Sequence, residues 1–143
     1  MSDLKRITRK YTLLGLIAVC FIGYIVYAFA TTSQAPQDIE ETNSVHFNRD
    51  VERATLPVMV DLWSRYCAPC IELDPTVQAL AKKYNGKLKI YRVVTDSNPD
   101  MVPRFNVTAL PTLLFFKNGK VVARILGKHP QATIEKTIEG VLN

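Results

Sequence analysis

Apolar positions follow several distinct patterns along this chain, and each predicts a different element. From Tyr11 to Ala30 twenty residues carry no charge; wound as a helix they reach about 30 Å, enough to cross a bilayer. Pro57-Val-Met-Val-Asp-Leu-Trp63 is a short, mostly apolar run behind a proline, which predicts a strand buried on both faces. From Cys70 to Tyr84 the apolar residues Ile71, Leu73, Val77, Leu80, Ala81 and Tyr84 recur at mostly three- and four-residue intervals. That period predicts an amphipathic helix, with Lys82 and Lys83 at its cation-favouring end and Asn85-Gly86 as its stop. Lys89-Ile-Tyr-Arg-Val-Val94 reads as the next strand, parallel to the first because a long helix separates them.

Leu113 to Phe116 and Val121 to Leu126 flank Lys117-Asn118-Gly119-Lys120, and Asn-Gly between apolar runs predicts a hairpin. Pro130 to Leu142 predicts a closing helix. Asn48-Arg-Asp-Val-Glu-Arg-Ala54 predicts a short helix capped by Asn48, with Val45 to Phe47 as a remnant first strand, and Asn98-Pro99 opens another short helix toward Phe105. Strands alternating with helices in this order give an α/β domain over residues 45–143.

Charge orients the ends of the chain. Lys5, Arg6, Arg9 and Lys10 precede the apolar stretch, and Asp38, Glu40 and Glu41 follow it. The expected arrangement is a cytoplasmic basic N-terminus (1–10), a single transmembrane anchor (11–30), a flexible polar tether (31–44) and the domain on the exported side, periplasmic or equivalent. Ala28-Phe-Ala30 also has the small-x-small form of a signal peptidase site, so a cleaved signal peptide is the alternative. Cys20, in mid-span, reads as a small apolar residue. The formal charge of +5 includes no stripe of Lys or Arg, which argues against a nucleic-acid partner.

The chemistry concentrates where the first strand meets its helix. Cys67 falls at the helix N-terminus, where unsatisfied N–H groups and the helix dipole stabilise a thiolate and make it a nucleophile. Cys70 lies one turn along on the same face, within reach of the Cys67 sulfur but pointing inward. Pro69 occupies a position where a missing N–H costs nothing, and Pro75, deeper, is expected to kink the helix. A Cys-x-x-Cys pair is also half of a zinc site; no second pair follows, and His46 and His129 are isolated. Asp61 is a carboxylate in a strand expected to be buried, where it would raise its pKa and take and return the proton of Cys70; the alternative is a strand-end aspartate facing solvent.

Val60-Asp-x-Trp-x-x-x-Cys-x-Pro-Cys, with Pro75 five residues on, resembles the thioredoxins. Asn98-Pro99 after Val94-Thr-Asp, Phe105-Asn-Val-Thr-Ala-Leu-Pro111 through Gly119, and Gly127 extend the likeness over about residues 45 to 142. The resemblance implies a thioredoxin-like fold, with a mixed four- to five-stranded sheet flanked by helices, and a redox-active Cys67-Cys70 disulfide with no other cofactor and no metal. It implies a cis Leu110-Pro111 peptide beside the cysteines, and a surface for substrate made by Trp63, Tyr66, Ala68 and Pro69 with Leu110, Pro111 and Gly127, where an extended segment pairs with backbone.

The departures bear on direction and partners. Ala68-Pro69 stands where thioredoxins typically have Gly-Pro, with no histidine to stabilise the Cys67 thiolate, which leans toward a reductant. Arg65 either folds back over the Cys67 sulfur or is a solvated loop charge. Tyr66 replaces a common tryptophan, Ile71 a common lysine, and Arg92 a lysine that many thioredoxins hold near the buried aspartate. The expected function is a membrane-tethered thiol-disulfide oxidoreductase that reduces disulfide-containing proteins and is resupplied by a membrane electron carrier. The alternatives are a disulfide-donating oxidase, or a tethered binding or chaperone module with a structural disulfide.

Overall fold

The structure is a computed structural model that describes residues 20–25 and 39–143. The chain divides into two units, Met1–Ala35 and Pro36–Asn143, and residues 20–25 of the first are helical. The transmembrane helix expected over 11–30 and the tether over 31–44 therefore lie mostly outside the described residues, as does the basic segment 1–10. No helix among the described residues is long and apolar enough to cross a membrane.

In the second unit, five strands form one mixed sheet: β1 (Glu40–Glu41), β2 (Val58–Trp63), β3 (Lys89–Val94), β4 (Thr112–Lys117) and β5 (Lys120–Leu126). Their order is β1-β3-β2-β4-β5; β3 runs parallel to β1 and β2, and β4 antiparallel to β2 and β5. Four helices accompany it: α1 (Asn48–Glu52), a single π-type turn, α2 (Ala68–Lys83), α3 (Met101–Arg104) and α4 (Gln131–Leu142).

The solid apolar run of β2 has its cause in this layering, because both faces of the strand are covered. Val58, Val60 and Leu62 pack on one side with Phe47, Val51, Met101 and Phe116. Met59 packs on the other with Leu73, Val77 and Leu80 of α2 and Ile134 and Ile138 of α4. The period of two then puts Asp61 on the Met59 side, toward α2.

The hairpin forms as its sequence predicts. Asn118 and Gly119 take φ of 53° and 75°, the positive pair a tight two-residue turn requires. At Gly119 a Cβ would overlap the Glu52 carbonyl oxygen, so the turn also packs directly on α1. Phe115 and Phe116 pair with Ala123 and Val121, leaving Val122 as the extra residue of a bulge.

The entry to the domain differs from the expectation. The first strand is Glu40–Glu41, paired with Tyr91 and Arg92, rather than Val45 to Phe47. Val45 and His46 instead donate backbone N–H groups to the Asn43 side-chain oxygen at 3.1 and 3.0 Å, a side-chain turn that stops extended pairing, and Phe47 turns into the core. Asn48 does not cap α1: its side chain donates to Glu52 at 2.7 Å, and Phe47 holds the cap position.

Candidate active site

β2 ends at Trp63, and three residues later the chain turns into α2. The helix starts at Ala68, two residues earlier than its periodicity suggests, and this makes Cys67 its cap. The Cys67 carbonyl accepts from the N–H groups of Cys70 and Ile71 at 3.0 and 3.2 Å, and its sulfur accepts from the Cys70 N–H at 3.3 Å. Pro69, as the second helical residue, has no N–H to leave unsatisfied. Pro75 offers none to the Ile71 carbonyl, yet α2 continues past it to Lys83.

Cys67 and Cys70 are joined in a disulfide with their Cα atoms 5.3 Å apart. Cys67 is half-buried between exposed Tyr66 and Ala68, whereas Cys70 is 4% exposed. The outer sulfur is thus the one a partner reaches, and when the disulfide opens it lies at the positive end of a 16-residue helix with an N–H aimed at it, which favours the thiolate.

The turn before Cys67 is fastened from outside. The Ser64 hydroxyl donates to the Asp96 carboxylate at 3.0 Å, the Arg65 N–H donates to the same carboxylate at 3.1 Å, and the Ser64 oxygen accepts from the Tyr66 N–H at 3.1 Å. Sequence reading missed Asp96, because its partners are about thirty positions away and only the β2–β3 pairing brings them together.

Asp61 is buried, 4% exposed, not facing solvent. Arg92 stands directly across from it on β3, with Nε 3.3 Å from Asp61 Oδ2. The guanidinium also pairs with Asp74 of α2 and lies over the Trp63 ring at 4.6 Å. Asp61 Oδ1 and Trp63 Nε1 have no hydrogen-bond partner among the described residues. Burial pushes the Asp61 carboxyl up to about 6, against the opposing pull of the Arg92 charge and hydrogen bond and with a smaller push from Asp74. Asp74 was not singled out from the sequence; its only signal is a charge four positions after Cys70 on the helix that covers β2. Trp63, Arg65, Ile71, Asp74, Pro75 and Arg92 line a groove of about 350 Å³ beside the disulfide turn.

The remaining site residues gather at the same end of the sheet. Leu62 pairs with Thr112, and Thr112 with Leu126, so Pro111 lies beside the end of β2 and Gly127 one strand further out. The Leu110-Pro111 peptide is cis. Pro111 is buried and Leu110 half-buried. The Gly127 N–H donates to the Pro111 carbonyl at 2.7 Å, so that acceptor is already used by the chain itself. Tyr66, at 90% exposed, and Ala68 and Pro69 form the outer surface beside Cys67.

The thioredoxin family model matches residues 38–140. The M-type chloroplastic thioredoxin of Spinacia oleracea is 36% identical over 111 residues, 78% of this chain and 61% of that protein. Thioredoxin 1 of a Nostoc species is 37% identical over 93 residues, 65% of this chain and 87% of that protein. A thioredoxin of a Synechocystis species is 34% identical over 102 residues, 71% and 95% of the respective chains. The chain spans 61% and 62% of the lengths of the spinach and pea relatives.

Proposed function

The chain belongs to the thioredoxin family, and from that premise we propose that it is a thiol-disulfide oxidoreductase acting as a reductant of protein disulfides. The observation that carries this reading is the division of the two sulfurs, Cys67 half-buried as the cap of α2 and Cys70 buried behind it. In the dithiol form the Cys67 thiolate attacks one sulfur of a target disulfide, forming a mixed disulfide and releasing the other as a thiolate that takes a proton from water. Cys70 then gives its proton to Asp61 and attacks the Cys67 sulfur. The mixed disulfide breaks, and the second target thiolate leaves and takes up a proton. Two electrons and two protons pass from the Cys67-Cys70 dithiol to the target, and the disulfide remains.

Asp61 suits the proton step because burial raises its carboxyl to about 6, close to neutrality where a general base works best, and one of its oxygens has no partner among the described residues. Trp63, Tyr66, Ala68, Pro69, Leu110, Pro111 and Gly127 are the proposed surface for the target. The direction is supported by Ala68-Pro69 between the cysteines and by the absence of a histidine there, which leaves the disulfide less oxidising.

The proposal extends to a tether. The uncharged stretch 11–30 behind Lys5, Arg6, Arg9 and Lys10 supports a single membrane span with the redox domain on the exported side. A reductant there needs electrons from across the membrane, hence a membrane electron carrier as partner. Fractionation of cells tests the tether: the chain remains with membranes after alkaline extraction, and its release would end that part of the reading.

The full chain carrying Cys70→Ala tests the chemistry. Incubated with a disulfide-containing protein such as insulin, it accumulates a mixed disulfide through Cys67 that dithiothreitol dissolves. No adduct, or an equal adduct with Cys67→Ala, contradicts the proposal.

A further inference from the structure

Asp61 meets charge from one neighbouring strand and from the helix above it. From β3 comes Arg92, and from α2 comes Asp74; on β4 the residue in register is the apolar Leu113. Arg92 is nearly enclosed, its side chain 12% exposed. A guanidinium facing a lone carboxylate in so dry a place would put two parallel N–H groups on its two oxygens. Arg92 does not. Only Nε faces Asp61, at 3.3 Å, while Nη2 is engaged by Asp74 Oδ1 and the Trp63 ring covers one face of the plane. The oxygen that the second arm would have taken, Asp61 Oδ1, has no partner among the described residues.

We propose that Asp74 is a positioning residue for the proton step: it holds Arg92 by its outer arm, so that Arg92 cannot fork onto Asp61 and one Asp61 oxygen stays open to receive the proton of Cys70. This rests on the proposed role of Asp61 as proton carrier. The geometry gives Asp74 a function its own ion pair does not explain, since its side chain is 37% exposed and a pair so open to water contributes little stability. Asp74 lies one helical turn beyond Cys70 and six positions before the end of the buried stripe formed by Leu73, Val77 and Leu80, so the helix that presents the resolving sulfur also sets the charge on the group that deprotonates it.

Two effects of removing the Asp74 charge act in the same direction. Arg92 gains freedom to place both arms on Asp61, and a negative neighbour disappears; each favours the ionised carboxylate. The test is the titration of the Asp61 side-chain carboxyl by carbon-13 NMR in the full chain in mild detergent, with the disulfide closed, for the parent, Asp74→Asn and Asp74→Glu. The expected result is a midpoint about one pH unit lower in Asp74→Asn, and a return toward the parent value in Asp74→Glu. A midpoint in Asp74→Asn equal to or above the parent's overturns the proposal, and so does an Asp74→Glu midpoint as low as that of Asp74→Asn. The measurement needs no turnover, which separates it from the oxidoreductase reading. Adduct trapping with an unmoved midpoint removes Asp74 alone, whereas a lowered midpoint without trapping removes the functional reading and leaves the coupling of the two carboxylates.

Discussion

Burying Asp61 has a consequence for stability whose sign and size follow from its surroundings. Its carboxyl rises from an ordinary 3.8 to about 6, chiefly through burial. Between those values the folded chain holds a proton that the unfolded chain has lost, so stability falls as pH rises through this window. At about 1.4 kcal/mol for each tenfold change in proton affinity the full swing is about 3 kcal/mol. Asp61→Asn removes the titration while keeping the shape. It leaves no isolated cation, because Arg92 retains Asp74, so the large cost of breaking a buried pair does not apply. Urea unfolding of the oxidised full chain and of Asp61→Asn, followed from about pH 4 to pH 8, is the assay. The variant gains on the parent by most of about 3 kcal/mol as pH rises toward 7, and the difference is flat above that. Contributions of Asp50 and Glu135, whose carboxyls are held low by Arg49 and Lys83, are common to both chains and cancel. A stability difference independent of pH, or one that shifts toward the parent as pH rises, refutes the reasoning.

Two further substitutions probe the frame of the site. Asp96→Ala takes the acceptor from the buried Ser64 hydroxyl and from the Arg65 N–H; a loss of about 1–3 kcal/mol, with faster hydrogen exchange at the Arg65 amide, is expected, and unchanged exchange counts against Asp96 as the anchor of the turn. Gly119→Ala combines a left-handed backbone with overlap on the Glu52 carbonyl and costs more than the about 1–3 kcal/mol of the backbone alone. Gly86→Ala, with a similar φ of 77° but open space around it, is the control and loses less; equal losses in urea melts would show that the contact between hairpin and α1 is slack.

The elements that sequence periodicity revealed are those with a covered face. β2, β3 and β4 are apolar because helices lie on the sheet, whereas β5 at the edge is mostly exposed, and the spacing of Leu73, Val77 and Leu80 records the face that α2 buries. β1 was illegible for the opposite reason: Glu40 and Glu41 join the sheet through backbone pairing alone, and their side chains carry no pattern. Cys67, Cys70 and the buried Asp61 could be read locally, since a charge inside an apolar run is conspicuous. The contacts of Arg92 could not, because they depend on register: a shift by one residue would have turned it to the other face. Asp74 and Asp96 act only through partners distant in sequence, and their types are ordinary for exposed positions.

The reduction potential of the Cys67-Cys70 couple tests the central claim most directly. The full chain is equilibrated against dithiothreitol mixtures and read by thiol alkylation or by the fluorescence of Trp63, the sole tryptophan. A reductant with this site has a potential at or below about −230 mV. A value near about −120 mV would make the chain a donor of disulfides and would contradict the account.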